Sequence, residues 1–448
     1  GNLVFDNLIA EGRLSQFNST ITESYPSFQG KINLDDINFK YNGKWIEDIN
    51  GILGVNGKDF EIEALETSLG KSDLTLKGQI ARLTPLLFQA ATQDSINMIQ
   101  PTKLTLNVNS KILDIEDLMK YLPEAEEVID SLKTEEEEAF EWQANPYAVG
   151  DIHLDVAEVR RGELAINEMS GDIRFNDREF IIQQIVMSLL GGKIDMRGDF
   201  TVSKSGNLVV KTFLNCQKIN MSKFLADLDN FGQETLTSKN LEGTFSSKAY
   251  VEAHLDKQLQ LDERSFYMVA DLLLEDGRLI DFEPMLALSS FVKLSELREV
   301  RFAKLENQIE IKNRRIRVPA MHLNSNVVRV SLSAIHNFNN TMLYYVRLNL
   351  MDILTGKFKK KNKDVEALAN KKRGGVNLYV TMSGSADNPR IGYMKKRKVK
   401  DQFERDLERP KINLDKILEQ DFQLDRGRMP ALQMPAFQMP MQMDTLSK

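Results

Sequence analysis

The sequence holds a single cysteine, Cys216, so no disulfide can close within the chain. That leaves the compartment unread, because chains without disulfides occur everywhere. The four histidines, His153, His254, His322 and His336, lie far apart on strand-like segments with no cysteine or carboxylate at ligand spacing. They read as structural or surface residues, and neither a metal nor a cofactor is expected. No uncharged apolar run approaches the roughly 20 residues of a membrane span. "LTPLLFQAATQ" from Leu83 and "MLALSSFV" from Met285 are the size of core helices. A net charge of -7 gives no overall attraction to nucleic acid or to an anionic membrane. No Gly-x-Ser-x-Gly elbow or kinase set is present. Acidic pairs such as Asp35-Asp36 sit at bulges or turns, where solvation explains them better than acid–base chemistry. The chain is therefore expected not to be an enzyme. Its opening, "GNLVFDNLIAEGR", lacks an initiator Met, a basic n-region and an apolar h-region. It reads as mid-strand, so the expectation is a fragment whose signal or anchor lies upstream.

What is present is a folded composition, 42% apolar and 27% charged. One motif, "GKSDLTLKG" (Gly70–Gly78), ends like a phosphate-binding P-loop. That loop needs a glycine five residues earlier and a helix after it. Leu65 holds the first position, and Leu74 and Leu76 alternate with polar residues in strand fashion. Both requirements fail.

Sliding the chain against itself explains the motif. At an offset of 120 residues and without a gap, Gly30 falls on Gly150, Ile32 on Ile152, Leu34 on Leu154 and Ile46 on Ile166. Gly51 falls on Gly171, Ile62 on Ile182, Leu69 on Leu189 and Gly78 on Gly198. Self-similarity at a fixed period marks stacked units that bury their apolar faces against neighbours. In each copy the apolar parity switches, from Leu34 to Ile37 and from Leu154 to Ala157, as a β-bulge would make it. Short strands are expected around Ile49–Val55, Phe60–Leu65 and Leu74–Ile80, joined by turns such as "VNGKD" and "FNDRE". A gapped third version starts at Val300, with Ile309 and Ile311 before a "KNRR" turn and Val328, Val330 and Leu332 on a closing strand.

Amphipathic helices are expected at 113–132, 221–231 and 282–297, each placed to cap or cover an apolar sheet face. The fold class is mainly β with some α: an elongated, twisted antiparallel sheet or groove built from repeats. The organisation reads as the end of a preceding repeat (1–27), β repeats at 28–110 and 147–220, and an acidic helical insert between them. A helix at 221–242 leads into a β region at 243–356. A basic loop (357–375), a final strand (376–393) and a basic, then Met/Pro/Gln-rich, tail complete the chain.

From Phe266 to Phe338 the chain resembles a known family. "LLLEDGRLIDFEPMLALSSFV", then "LREVRFAKLENQIEIKNRRIRVPAMHLNSN", is similar to the C-terminal region of AsmA-like proteins of Gram-negative bacteria. "GSADNPRI" (Gly384–Ile391) resembles the Gly-x-x-x-Asn-Pro signature that closes such a sheet, and the Lys-rich insert most resembles versions from Bacteroidota. The resemblance implies a periplasmic protein held at the inner membrane by an N-terminal anchor, which this sequence lacks. It also implies a long β-groove and a part in outer-membrane biogenesis or phospholipid traffic.

Residue chemistry bears on that directly. A sixteen-carbon chain costs on the order of 12 kcal/mol to carry bare through water, at about 0.8 kcal/mol per CH₂. A carrier must therefore offer a continuous apolar trough. Candidate groove residues are Ile32, Leu34, Ile152 and Leu154 in the two copies, and Ile309, Ile311, Val328, Val330 and Leu332 in the third. The implied partner is phospholipid or another membrane lipid, with envelope-assembly proteins as further partners and no nucleic acid. One-sided alternation equally describes a plain sheet with helices packed on it, which would suit a protein-binding scaffold for outer-membrane assembly. An enzyme with a dispersed site is the third reading. In the basic loop, Lys359, Lys360, Lys361, Lys371, Lys372 and Arg373 either meet anionic lipid heads or are simply solvated. The tail Met434, Met439, Met441 and Met443 are either disordered low complexity or soft ligands for Cu(I).

Overall fold

Alternation of apolar and polar residues drives strand formation by giving each strand one face to bury, and the chain takes that course almost throughout. In the computed structural model the described residues include 19 strands in a single sheet. It describes residues 1–11, 27–82 except 42 and 58, 102–120, 148–349 and 377–393, with isolated positions between 397 and 417. Within these ranges 177–178, 204–206, 228–229, 231–235, 257–259, 291–292, 328 and 386–387 lie outside the description.

The first strands are β1 (Asn2–Glu11), β2 (Ser27–Tyr41), β3 (Lys44–Gly57), β4 (Asp59–Leu69), β5 (Ser72–Ala81) and β6 (Thr102–Asp114). Next come β7 (Ala148–Arg161), β8 (Leu164–Asn176), β9 (Glu179–Leu189), β10 (Gly192–Val202) and β11 (Leu208–Asn220). The remainder are β12 (Leu241–Leu255), β13 (Tyr267–Ile280), β14 (Glu299–Lys312), β15 (Arg315–Asn324), β16 (Arg329–Asn337), β17 (Thr341–Asn349), β18 (Asn377–Ser385) and β19 (Arg390–Tyr393). Each strand pairs with the next in sequence. The strands of the first copy are longer than the short segments expected from sequence.

Among the described residues the helices are α1 (Ile115–Met119), α2 (Met221–Asp227), α3 (Glu283–Leu286), a 3₁₀ turn (Ala287–Ser290) and α4 (Leu294–Leu297). The expected helix from 113 begins later, because Leu113 and Asp114 are still paired in β6 with Val159 and Arg160. Residues 121–132 of that expectation, and most of the acidic insert, lie outside the described residues. The single helix expected over 282–297 is broken, since Lys293 takes an extended conformation (ψ 128°) ahead of α4. The sheet lies within Gly1–Ile412, and Asn413–Lys448 forms a separate unit. In the latter, the Asn413 side chain caps a helical turn by accepting from the Lys416 amide at 3.1 Å.

The repeat extends further than the ungapped alignment reaches. β6 and β11 are equivalent at an offset of 106, because Gly78 pairs with Leu106 just as Gly198 pairs with Thr212. Each is followed by a helix capped in the same way. Asp114 Oδ1 accepts from the Asp117 amide (3.0 Å), and Asn220 Oδ1 from the Lys223 amide (2.9 Å). The unit is thus five strands and a helix, β2–β6–α1 and β7–β11–α2. Five is odd, so an antiparallel junction would invert the second unit. Instead β6 and β7 run parallel, the single parallel pair among the described strands, and the second unit is a translation of the first.

Bulges recur with the repeat. The β2–β3 ladder shifts between Leu34 and Ile37, with Asp36 at φ 53°, at the parity switch of the first copy. In the second copy β7 and β8 switch together, with Glu168 at φ 53°, so their mutual register is unbroken. A further bulge not expected from sequence lies between Ile62 and Leu65 in β4, and between Ile182 and Ile185 in β9. It puts both members of each pair on one face despite their odd spacing.

Candidate functional site

Partners opposed across a ladder share a face, so the registers define the two faces without ambiguity. One row runs Phe5–Ile32–Leu53–Ile62–Gly78–Leu106–Ile152–Ile173–Ile182–Gly198 across ten strands. The neighbouring row runs Leu3–Leu34–Gly51–Leu65–Leu76–Val108–Leu154–Gly171–Ile185–Met196. Beyond β10 the same face carries Ile309 and Ile311, then Ile316, Val330 and Leu332. The sheet therefore presents one continuous apolar face from β1 through β16.

Two glycines of the first row keep it unbroken. A Cβ on Gly78 would lie 2.1 Å from the Thr105 carbonyl oxygen, and one on Gly198 would lie 2.2 Å from that of Lys211. The repeat match at these positions thus has a steric cause beside the β4 and β9 bulges.

The opposite face is largely charged from β2 through β10, and from β11 through β13 it carries the buried Phe213, Tyr250 and Val269. Arg174 meets Asp151 at 2.8 Å, His153 meets Asp172 at 2.8 Å and Lys31 meets Glu63 at 2.6 Å, all largely exposed. Such pairs add little stability; they keep that face wet. Near the end of the sheet body this face also carries a docked backbone. The Gln308 side chain donates to the Ile412 carbonyl (3.0 Å) and accepts from the Ile412 amide (2.9 Å).

The apolar face is covered unequally. From β9 onward it forms one core cluster in which Ile185, Leu189, Ile194, Phe245, Leu274, Phe302, Val330, Val346 and Leu348 are buried. Met221 and Leu225 of α2, Met285 of α3, Leu288 of the 3₁₀ turn and Leu297 of α4 pack into it. Burial shifts the ionisable groups there as a low-dielectric interior should. The Tyr344 hydroxyl is pushed up to about 12 and the Cys216 thiol to about 11, while burial holds His336 below its ordinary 6.5.

In β2–β8 the same face is mostly half-buried, with Ile49, Val55, Ile62, Val156 and Val159 the buried apolar residues. Among the described residues, α1 is the helix of this region, and it lies at the ends of β6 and β7. On β1, Leu3 and Phe5 are 48% and 54% exposed. Polar anchoring here is local. Burial raises the Asp73 carboxyl, but hydrogen bonds from the Ile112 and Lys111 amides outweigh it and hold the group below its ordinary value.

The sequence candidates fall as follows. Ile32, Leu34, Ile152, Leu154, Ile309 and Leu332 are half-buried on the apolar face, and Ile311 and Val330 are buried on it. Val328, Lys359, Lys360, Lys361, Lys371, Lys372, Arg373 and the tail methionines lie outside the described residues. Missed were Leu53, Leu65, Leu106 and Ile173, which the ladders place in the same two rows. Only pairing, which alternation does not encode, could have found them. Among the described residues no group of three metal-ligating side chains converges, and no helix is long and apolar enough to cross a membrane. No family model, curated protein or solved structure matches this chain.

Proposed function

We propose that this chain is a non-enzymatic lipid-binding protein of the AsmA-like kind, holding phospholipid acyl chains on the apolar face of β1–β8 during traffic between envelope membranes. The observation that carries the reading is the pair of unbroken apolar rows left half-buried through β2–β8. Eight strands about 4.8 Å apart span about 34 Å. One leaflet's hydrocarbon is about 15 Å deep, so the tails of a phospholipid fit within that length. Ile, Leu and Val side chains there contact methylenes without selecting a head group. The charged opposite face keeps the sheet soluble while lipid is bound.

The scaffold reading draws its support from β9–β18, whose apolar face is filled by the protein's own side chains and helices. Native mass spectrometry with extracted phospholipid separates the two. Lipid adducts on the intact chain that vanish in Leu106→Glu and Ile152→Glu variants of unchanged melting temperature support the carrier. Absence of adducts on the wild-type chain favours the scaffold.

A further inference from the structure

The hairpin of β14 and β15 carries charges that its own fold does not match. Asn313 and Arg314 make its two-residue turn at φ 53° and 58°, the left-handed pair that a tight hairpin needs. The register then fixes what stands on the hairpin's outer face, away from the apolar trough. Glu310 lies across from Arg317, and Lys312 lies across from Arg315. The second pair sets two cations directly opposite each other, which is destabilising in a ladder. Elsewhere the sheet matches its cations. Arg278 sits 2.9 Å from both Glu242 and Glu299, and Arg314 of the turn sits 3.0 Å from Glu263.

Glu310, Lys312, Arg315 and Arg317, with Asn313 and Ile335, line a cavity of about 340 Å³, the size of a small-ligand site. Opposed residues stand about 5 Å apart and same-face neighbours on a strand about 6.8 Å apart. One small group can therefore touch all four charged side chains. Arg317 and Glu310 are 3.6 Å apart, and each side chain is only 19% exposed. Lys312 and Arg315 are exposed at the mouth. Lys312 Nζ lies 5.3 Å from the centre of the Tyr267 ring, and Arg315 Nε donates to Asn337 Oδ1 at 3.1 Å. Among the described residues no carboxylate pairs with either of them. Three cations less one carboxylate leave two positive charges around the cavity. A phosphate monoester carries about -1.5 to -2 at neutral pH.

We propose that this cavity binds a phosphate monoester. Arg315 and Arg317 supply planar forks that fit phosphate oxygens, and Lys312 adds a point charge. The bound phosphate relieves the opposition of Lys312 and Arg315. Ile335, with Leu343 beside it in the next ladder, gives the organic part of the ligand an apolar wall. Glu310 holds Arg317 and also repels the phosphate, so it limits affinity. The site lies on the face away from the trough and does not depend on the function proposed above.

Calorimetric titration of the full chain with inorganic phosphate at low ionic strength tests the proposal. Saturable binding at a single site is expected. Lys312→Gln and Arg315→Gln should each weaken it about tenfold, the loss of one charge-assisted hydrogen bond. Glu310→Gln should tighten it. Arg314→Gln, outside the cavity lining, should leave it unchanged. Melting gives a second reading: Lys312→Gln, at unchanged circular dichroism, should lose the rise in melting temperature that phosphate gives the wild type. Vesicles of phosphatidylcholine, alone or mixed with phosphatidic acid, distinguish the sources of the monoester. Cosedimentation with phosphatidic acid that is lost in Lys312→Gln assigns a lipid head group. Phosphate binding without cosedimentation assigns a soluble monoester, and both outcomes uphold the site. No saturable phosphate binding, or equal weakening by Arg314→Gln and Lys312→Gln, overturns the proposal.

Discussion

From β3 to β6 and from β8 to β11 the two repeats share registers and bulges, yet they differ in what covers them. At equivalent positions Leu65, Leu69 and Leu74 of the first copy are half-buried, whereas Ile185, Leu189 and Ile194 of the second are buried. The strands cannot cause this, since both ladders are the same. The cause lies in the cover: residues of α2, α3 and α4 join the cluster that contains the second copy. A repeated strand pattern thus fixes which face is apolar. How deeply that face is buried follows from the helices packed on it, of which α3 and α4 lie outside the repeat.

Charge placed on the two copies should give the largest contrast. Ile185→Asp leaves an unpaired carboxylate in a packed interior and is expected to cost about 3–5 kcal/mol. Leu65→Asp, half in water, should cost about 1 kcal/mol. Urea unfolding reads both, and equal losses would break the comparison. Truncation should follow the same order at smaller size. Leu189→Ala is expected to lose about 2–5 kcal/mol and Leu69→Ala about 1 kcal/mol, because the latter leaves a notch that water fills.

Glycine replacement sharpens the comparison from the other side. Gly78→Ala and Gly198→Ala meet the same backbone oxygen crowding in both copies, so each should destabilise by about 1–3 kcal/mol. Gly78 also sits at φ 156°, so its replacement should cost the more of the two, and a larger loss at Gly198 would break the expectation. The smallest effect is in pH. Burial holds His336 and His322 below their ordinary 6.5, with Arg347 also acting on His322. The unfolded chain therefore binds the extra protons first, and stability falls as pH drops through 6.5. In the first unit Asp73 acts lower: its depressed carboxyl contributes stability above its ordinary 3.8 that is lost as pH falls through the folded value. A urea midpoint that falls between pH 7.5 and 5.5 in the wild type, and falls less in His336→Gln, fits this assignment; an unchanged slope does not.

Much of this was legible beforehand, and the remainder was hidden for definite reasons. Period-two alternation and the 120-residue match identified strands, repeat and apolar face, down to the parity switch after Leu34. The match to β11 was lost because the chain between β5 and β6 is longer than that between β10 and β11. The parallel β6–β7 pair was hidden because orientation is set by a long connection and not by side-chain pattern. The Ile62/Leu65 bulge shows only as two apolar residues at odd spacing, which reads equally as noise. Burial of Val330 and Ile311 depends on what lies over them, and alternation is silent about cover.

Photocrosslinking to radiolabelled phospholipid tests the central claim most directly. A benzophenone side chain is placed in turn at Ile32, Leu106 and Ile152, and at Ile194 of the covered copy. Labelling from the first three sites and none from Ile194 is the expected result. Labelling of Ile194 as strong as that of Ile32, or none at any of the first three, would contradict the proposed lipid contact with the half-buried face of the first unit.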